Sequence, residues 1–340
     1  MQILFCDMDD ITRDYLNKHP AKSGVEYVMF EKSLNDMSDE ELSPYYETVD
    51  IISTFVYSRL TGDLLAKFKK LKMISTRSTG YNNVDLDYCH SHDIKVANVV
   101  GYGEITVAEF AVGSLLNLTR KIEHSHKKLE RGVVNVDDDM GVDLYGKTVG
   151  VIGTGAIGRH FSRLVKAFGC KVLAYDLYPN QKLAEEGVVE YTDLDRIFSE
   201  ADIISLHCPA TKENYHMINK DTIAKMKDGI YIINTARGDL IDTLALYESC
   251  KSGKIAGVAL DALECEDIII KNNVECACAK CSDEHFMLYS LVNQKILQLA
   301  NVVSTPHIAF NSIEAIIRIL DSSMKNVYDF IEGNEIRCLV

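Results

Sequence analysis

No stretch of this 340-residue chain approaches the ~20 consecutive apolar residues that a membrane-spanning helix needs, so no membrane span is expected. A basic excess is missing as well: 36 Lys and Arg minus 50 Asp and Glu leave a net charge of −14. A surface of that sign repels phosphate backbones and anionic lipid, which argues against nucleic-acid and membrane-surface roles. Proline is scarce, with five in all, and no Gly/Ser-rich or Pro-rich stretch interrupts the chain, so two units joined by a flexible tether are not expected. Fixed-period repeats and low-complexity tracts are also lacking. The N-terminus, MQILFCDMDD, turns acidic at once and has no basic region followed by a small-residue cleavage site, so it does not read as a signal peptide. Ten cysteines behind such a start read as reduced thiols, and a cytoplasmic location is the expectation.

What is present is enough chain for roughly two domains. Apolar residues at 47% and charged ones at 25% exclude wholesale disorder. Short apolar, β-rich runs alternate with amphipathic stretches throughout. The early runs lie at 3–6, 27–30, 51–56, 73–76 and 95–99, with helix-like segments at 63–70 and 85–92. Strands alternating with helices predict parallel βαβ units, hence doubly wound sheets covered on both faces. Apolar positions recur at helical spacing over 105–131, which predicts one extended helix leading into a second unit. That unit starts at Thr148, with buried-strand candidates at 149–152, 172–175, 203–206, 231–234, 257–260 and 302–304 and a closing amphipathic helix at 313–331.

The strongest chemical signal is VGVIGTGAIGRH, which sets Gly153, Gly155 and Gly158 in the GxGxxG spacing directly after an apolar strand and at the opening of a helix. The first glycine permits the tight turn, the second lets backbone approach a pyrophosphate, and the third allows close helix–strand packing. The N–H groups of the helix start, at Ala156 and Ile157, face the phosphates. About twenty residues on, the next strand ends in Asp176, whose carboxylate can accept from ribose hydroxyls and would repel a 2′-phosphate, so NAD is favoured over NADP. A structural turn followed by a chance carboxylate is the rival reading.

Three later strands each end in a chemically capable residue. IINTARGDLIDT puts Arg237 just past a strand, where ligands of open α/β sheets bind, and a planar guanidinium suits a carboxylate. The plainer alternative is a surface arginine paired with Asp239 or Asp242. GVALDALECE offers Asp261, Glu264 and Glu266, and NVVSTPHIAF offers His307 after a strand halted by Pro306. Histidine suits proton exchange near neutrality, although a lone one after a strand is commonly a satisfied loop residue. A cation for a carboxylate, a proton donor and a hydride source together describe reduction of a 2-oxo acid to a 2-hydroxy acid.

GTGAIG, SLHCP, INTARG, the acidic segment ALDALECE and TPHIAF occur in the order and spacing of the NAD-dependent D-2-hydroxyacid dehydrogenases. The chain resembles most the D-lactate dehydrogenase branch, over nearly its whole length. The resemblance implies an inserted Rossmann NAD-binding domain at 101–300. A flavodoxin-like substrate domain, built from 1–100 and 301–340, would complete the fold, with an active-site cleft between the two. It implies that Arg237 anchors the substrate carboxylate, that Glu266 orients and charges His307, and that His307 donates the proton. Asp261 would contact the cofactor near its nicotinamide, and Cys208, Pro209, Asn214, Thr235 and Ala236 would line the NAD cleft. The segment TRSTGYNNVD matches the family's carboxylate loop, with the backbone around Thr79 and Gly80 binding substrate, and Tyr102 aligns with an active-site tyrosine. Many relatives read Tyr-Ser-Pro there; this chain has Tyr102-Gly103-Glu104, so the placement of Tyr102 is a departure from the pattern. The 105–131 helix resembles a dimerisation element, so a homodimer is expected.

Pyruvate, giving D-lactate, is the expected substrate. A bulkier acid, such as 2-oxoisocaproate, phenylpyruvate or 2-oxoglutarate, is the alternative, to be decided near 55–57, 79–81 and the loop after Glu266. An NAD-sensing, peptide-binding corepressor is the alternative of another class. The run Cys276-Ala-Cys278-Ala-Lys-Cys281, with His285 nearby, holds only half of a paired zinc-ligand unit, so no metal is expected. Cys208, beside the cofactor, is the thiol expected to meet thiol reagents.

Overall fold

The computed structural model describes residues 1–134, 137–265 and 283–339. The chain forms two compact units, Met1–Tyr102 with Asn311–Val340 and Gly103–Phe310.

In the first unit, β1 (Gln2–Phe5), β2 (Glu26–Met29), β3 (Val49–Thr54), β4 (Met73–Thr76) and β5 (Lys95–Ala97) form a parallel sheet in the order β2-β1-β3-β4-β5. Every residue of β3 and β4 is buried, which is why 51–54 and 73–76 read as continuous apolar or small-residue runs rather than alternating ones. Apolar clusters cover both faces: Leu4, Ile52, Ile74 and Val96 pack on one side, Ile3, Phe5, Ile51 and Met73 on the other. The helix Ile313–Glu332 returns to this unit, capped by Ser312 and closed by Gly333 at φ +74°, and Met324 and Val327 complete the second cluster.

In the second unit, β6 (Thr148–Ile152), β7 (Lys171–Tyr175), β8 (Glu190–Tyr191), β9 (Ile203–Leu206), β10 (Ile230–Asn234), β11 (Ile255–Leu260) and β12 (Val302–Ser304) form a parallel sheet in the order β12-β11-β10-β9-β6-β7-β8. Strand order reverses between β6 and β9, so the crevice beyond their carboxyl ends is the place where ligands of such sheets bind. The first sheet reverses in the same way between β1 and β3. Two α/β units, each built on a parallel sheet, are the fold class expected from the alternating pattern.

One element departs from expectation. The helix read over 105–131 is two helices, Glu104–Thr119 and Ile122–Glu130, with Lys121 between them in the left-handed region at φ +52°. The Thr119 carbonyl, which a continuous helix would give to residue 123, instead accepts the N–H of Val142. The freed N–H of Glu123 donates to Asn117 Oδ1 at 2.8 Å. A contact made twenty-odd residues later in the chain therefore satisfies the carbonyl that the break frees. Among the described residues, no helix is long and apolar enough to cross a membrane.

Candidate active site

The glycine turn after β6 behaves as its spacing requires. Gly153 has φ +94°, and a Cβ there would lie 2.7 Å from the backbone of His207 and Cys208 at the end of β9. A Cβ on Gly158 would sit 1.9 Å from the Gly153 carbonyl oxygen. A Cβ on Gly155, in contrast, would meet nothing within 4 Å, so its backbone faces open space. Gly155 is also the cap residue of the helix Ala156–Ala167, and no side chain caps that helix. Ala156 and Ile157 therefore present unpaired N–H groups at the positive end of a helix, beside a backbone that a ligand can approach.

Asp176, just past β7, accepts the Thr154 N–H at 2.5 Å, the Thr154 hydroxyl at 3.0 Å and the Tyr178 N–H at 2.8 Å. A carboxylate offers about four lone-pair sites, so this half-exposed group, aimed by the glycine turn itself, keeps room for a ribose hydroxyl. Two buried polar atoms, Thr235 Oγ1 past β10 and His207 Nδ1 past β9, have no hydrogen-bond partner among the described residues. Burial pulls the His207 pKa down to about 3, so its ring is neutral. Open glycine, uncapped helix start, aimed carboxylate and orphaned atoms are the features a bound dinucleotide would use.

The loop after β9 is closed by Asn214, which donates to the Pro209 carbonyl at 2.8 Å and accepts the Thr211 N–H at 2.7 Å. Cys208 does not match the reactive thiol expected of it. Burial pushes its pKa up to about 11, with Asp176 adding, so the nucleophilic thiolate is scarce near neutrality.

Arg237, Asp261 and His307 lie past the carboxyl ends of three neighbouring strands, β10, β11 and β12. Buried Asn234 shapes the arginine turn: its amide donates to the Arg237 carbonyl at 2.9 Å and its Oδ1 accepts the Ala236 N–H at 3.0 Å. Arg237 is exposed and donates to the Ala236 carbonyl at 2.6 Å. Among the described residues it forms no ion pair with Asp239 or Asp242; the Asp242 carboxylate instead caps the helix Thr243–Ser252. Asp261, 3% exposed, accepts the Thr305 hydroxyl at 2.6 Å and the N–H groups of Ile308 and Ala309 at 2.8 and 2.9 Å. One carboxylate thus pins the loop on both sides of His307, which adopts φ +55° and donates its N–H to the Thr305 carbonyl. That geometry makes Asp261 a positioning group for the histidine loop.

Glu266 lies outside the described residues, as do Cys276, Cys278 and Cys281 and the side chain of His285. Among the described residues no cluster of three or more His, Cys, Asp or Glu is arranged to hold a metal. Glu264 is turned inward, 5% exposed, and takes the Tyr215 hydroxyl, His216 Nε2 and the Thr243 hydroxyl. None of these three partners is signalled by the sequence, nor is the close approach at Gly238, where a Cβ would lie 2.1–2.3 Å from the Leu263–Glu264 peptide. The glycine adjoining the INTAR motif is the one cue that could have found it.

In the first unit, Thr79 and Gly80 follow β4. The Thr79 hydroxyl donates to the Val99 carbonyl at 2.9 Å and the Asn98 amide to the Thr79 carbonyl at 2.8 Å, while Gly80 is exposed with open space about its Cα. The Tyr102 carbonyl accepts Arg318 Nε at 2.7 Å.

Strand order, glycine turn and acidic partner define the second unit as a nicotinamide-dinucleotide-binding domain. Residues 112–309 match the family model described as D-isomer specific 2-hydroxyacid dehydrogenase, NAD binding domain. An aromatic 2-oxoacid reductase of Clostridium sporogenes is 41% identical over 292 residues, 85% of this chain and 84% of that protein. Among solved structures, apo D-lactate dehydrogenase from Escherichia coli is similar with a TM-score of 0.84 at 32% identity, covering 100% of both chains. D-lactate dehydrogenase from Aquifex aeolicus, complexed with NAD and lactic acid, has a TM-score of 0.78 at 35% identity, covering 98% of this chain and 96% of that one. The chain belongs to the D-isomer-specific 2-hydroxyacid dehydrogenase family. It is an NAD-dependent oxidoreductase.

Proposed function

We propose that this dehydrogenase reduces pyruvate to D-lactate, with Arg237, His307 and Glu266 as its reacting side chains. The observation that carries the reading is the stapling of the arginine turn by Asn234 and of the histidine loop by Asp261, at the ends of adjacent strands. Rigid placement of two opposite functions, anion binding and proton donation, is what a carbonyl reduction needs. The guanidinium of Arg237 pairs with the substrate carboxylate through its planar fork and draws charge from the neighbouring ketone. Imidazolium at His307 gives its proton to the carbonyl oxygen as the alcohol forms, and a carboxylate at Glu266 favours that charged form. NADH, when bound, supplies the hydride that the carbonyl carbon receives. Gly153, Gly155, Ala156, Ile157, Gly158 and Asp176 hold the dinucleotide in this reading, with Cys208, Pro209, Asn214, Thr235 and Ala236 lining its cleft and Asp261 near the nicotinamide. The first unit offers the backbone N–H groups of Thr79 and Gly80, with Tyr102, to substrate.

A second reading has its own support. In the first unit Phe55 and Tyr57 follow β3 and meet edge to face with ring centroids 5.4 Å apart, and Tyr57 is 62% exposed. An exposed tyrosine ring backed by a part-buried phenylalanine offers stacking surface to an aromatic side chain, and the Clostridium sporogenes relative is an aromatic 2-oxoacid reductase. NADH oxidation with pyruvate, 2-oxoisocaproate, phenylpyruvate and 2-oxoglutarate, with chiral analysis of product, decides between them. A kcat/KM at least about tenfold higher for pyruvate than for phenylpyruvate, some 1.4 kcal/mol of transition-state preference, is the expected result. The reverse ratio assigns the aromatic substrate, and an L product would sink both. Arg237→Lys should raise KM for the 2-oxo acid by about tenfold with a smaller change in kcat, because a point charge replaces a fork.

We also propose a homodimer. The segment that resembles a dimerisation element exposes Ile105, Ile122, Leu129, Val134 and Met140, each between 50% and 83% accessible, as apolar side chains a partner could cover. Light scattering should give twice the 38.1 kDa chain mass; a monomer mass at micromolar concentration would remove the proposal.

A further inference from the structure

We propose that the ion pair of part-buried His216 with buried Glu264 is a positioning device for Arg237, locking the arginine turn against the acidic turn after β11. The inference rests on the role given to Arg237 above. His216 grips two places at once. Its Nε2 donates to Glu264 Oε1 at 2.8 Å, and its backbone N–H donates to the Asp239 carbonyl at 2.9 Å, two residues past Arg237. Between those two anchor points, the backbone of Gly238 lies directly on the Leu263–Glu264 peptide. The contacts close a ring: imidazole, Glu264 carboxylate, Glu264 peptide, Gly238, Asp239 carbonyl and back to the His216 amide.

The ring is braced from outside. Tyr215 and Thr243 hydroxyls donate to Glu264 at 3.0 and 2.9 Å, and the Asn293 amide donates to its carbonyl at 2.8 Å. His216 is held at φ +51° by the Asn219 amide, which donates to its carbonyl at 2.8 Å, and its ring stacks on Tyr215 at 3.8 Å. Ile218 N–H donates to the Leu240 carbonyl, so the segment carrying His216 runs beside the whole arginine turn. The pair also satisfies the demand of burial. A carboxylate removed from water needs a cation or several donors, and truncating one partner of a buried pair leaves the other uncompensated. Burial pulls the His216 pKa down, but the hydrogen bond and charge of Glu264, with Asp242 and Asp239 adding, outweigh it and raise the pKa, which favours the cation. Arg237 itself is exposed and, among the described residues, its guanidinium hydrogen-bonds within its own turn, so the ring beneath that turn sets where the guanidinium points.

The test is a double-mutant cycle in the full-length enzyme, with the 2-oxo acid turned over fastest in the substrate panel. His216→Leu should raise KM for that acid about tenfold, equivalent to ~1.4 kcal/mol, with KM for NADH changed less than about twofold. His216→Gln, which can still donate to Glu264, should recover most of the loss, and Thr243→Val, which removes one hydroxyl donor, should fall between. Arg237→Ala should raise the same KM, and adding His216→Leu to it should raise it little further, because the two act through one group. Full additivity overturns the coupling, as does a His216→Leu enzyme that loses thermal stability while both KM values stay at wild type. An Arg237→Ala enzyme with wild-type KM would instead mark the failure of the arginine's assigned role, and the inference would fall with it. If His216→Leu does not fold, the cycle is run with His216→Gln and Thr243→Val, whose additivity with Arg237→Ala decides the matter.

Discussion

His307→Asn should lower kcat by about two to four orders of magnitude while moving KM for the 2-oxo acid by less than about threefold. Asparagine is the informative replacement because His307 sits at φ +55°, a conformation that asparagine tolerates and most other residues resist. The loop can then keep its place: Asp261 still receives Thr305, Ile308 and Ala309, none of which depends on the side chain between them. What is lost is a group able to exchange a proton near neutrality. NADH oxidation followed at 340 nm gives kcat, and thermal melting of the same sample checks that folding is intact. Turnover at the wild-type rate would remove His307 from the reaction.

Gly238→Ala should cost more than its single methyl suggests. The added Cβ would lie 2.1 Å from the Leu263 carbonyl carbon and 2.2 Å from the Glu264 nitrogen, and both obstacles are backbone. Room comes only from separating the arginine turn from the acidic turn, the two segments that bear on Arg237 and lead to Glu266. Overpacking of this kind typically costs about 1–3 kcal/mol of stability. A displacement near 1 Å at a reacting group can cost about 10²-fold in rate, so kcat/KM should fall tenfold to a hundredfold. Urea unfolding and steady-state kinetics on one preparation separate the two effects. Wild-type kcat/KM would show that the contact does not position the arginine.

Much of this is legible in the sequence, for physical reasons that also mark where legibility stops. The central strands β3, β4 and β9 are buried on both faces, so their runs stand out without alternation. Two-residue β8 at the sheet edge has no such run and passes unnoticed. The glycine turn reads clearly because Gly153 and Gly158 answer local steric demands, and Arg237, Asp261 and His307 stand out because each lies within three residues of the end of an apolar strand. Contacts between distant segments do not read. The helix break at Lys121 is accompanied by a bond from distant Val142, and the side-chain partners of Glu264 lie 21 to 49 residues away with no periodicity tying them to it. Cys208 shows the same limit in another form: adjacency to a cofactor segment is visible in sequence, but the burial that raises its thiol pKa is not.

The bare start of the helix Ala156–Ala167 has a consequence beyond catalysis. Helices elsewhere in this chain, such as those capped by Asp193, Asp242 and Ser312, bring their own acceptor and are complete without help. This one starts beside an open glycine with no side-chain acceptor, so a bound diphosphate would complete it and the folded state and the coenzyme are thermodynamically linked. Saturation at a hundredfold excess over Kd adds about 2.7 kcal/mol to unfolding free energy. Tm should accordingly climb with NADH concentration, and a cell's dinucleotide supply then governs how long each molecule survives as well as how fast it works.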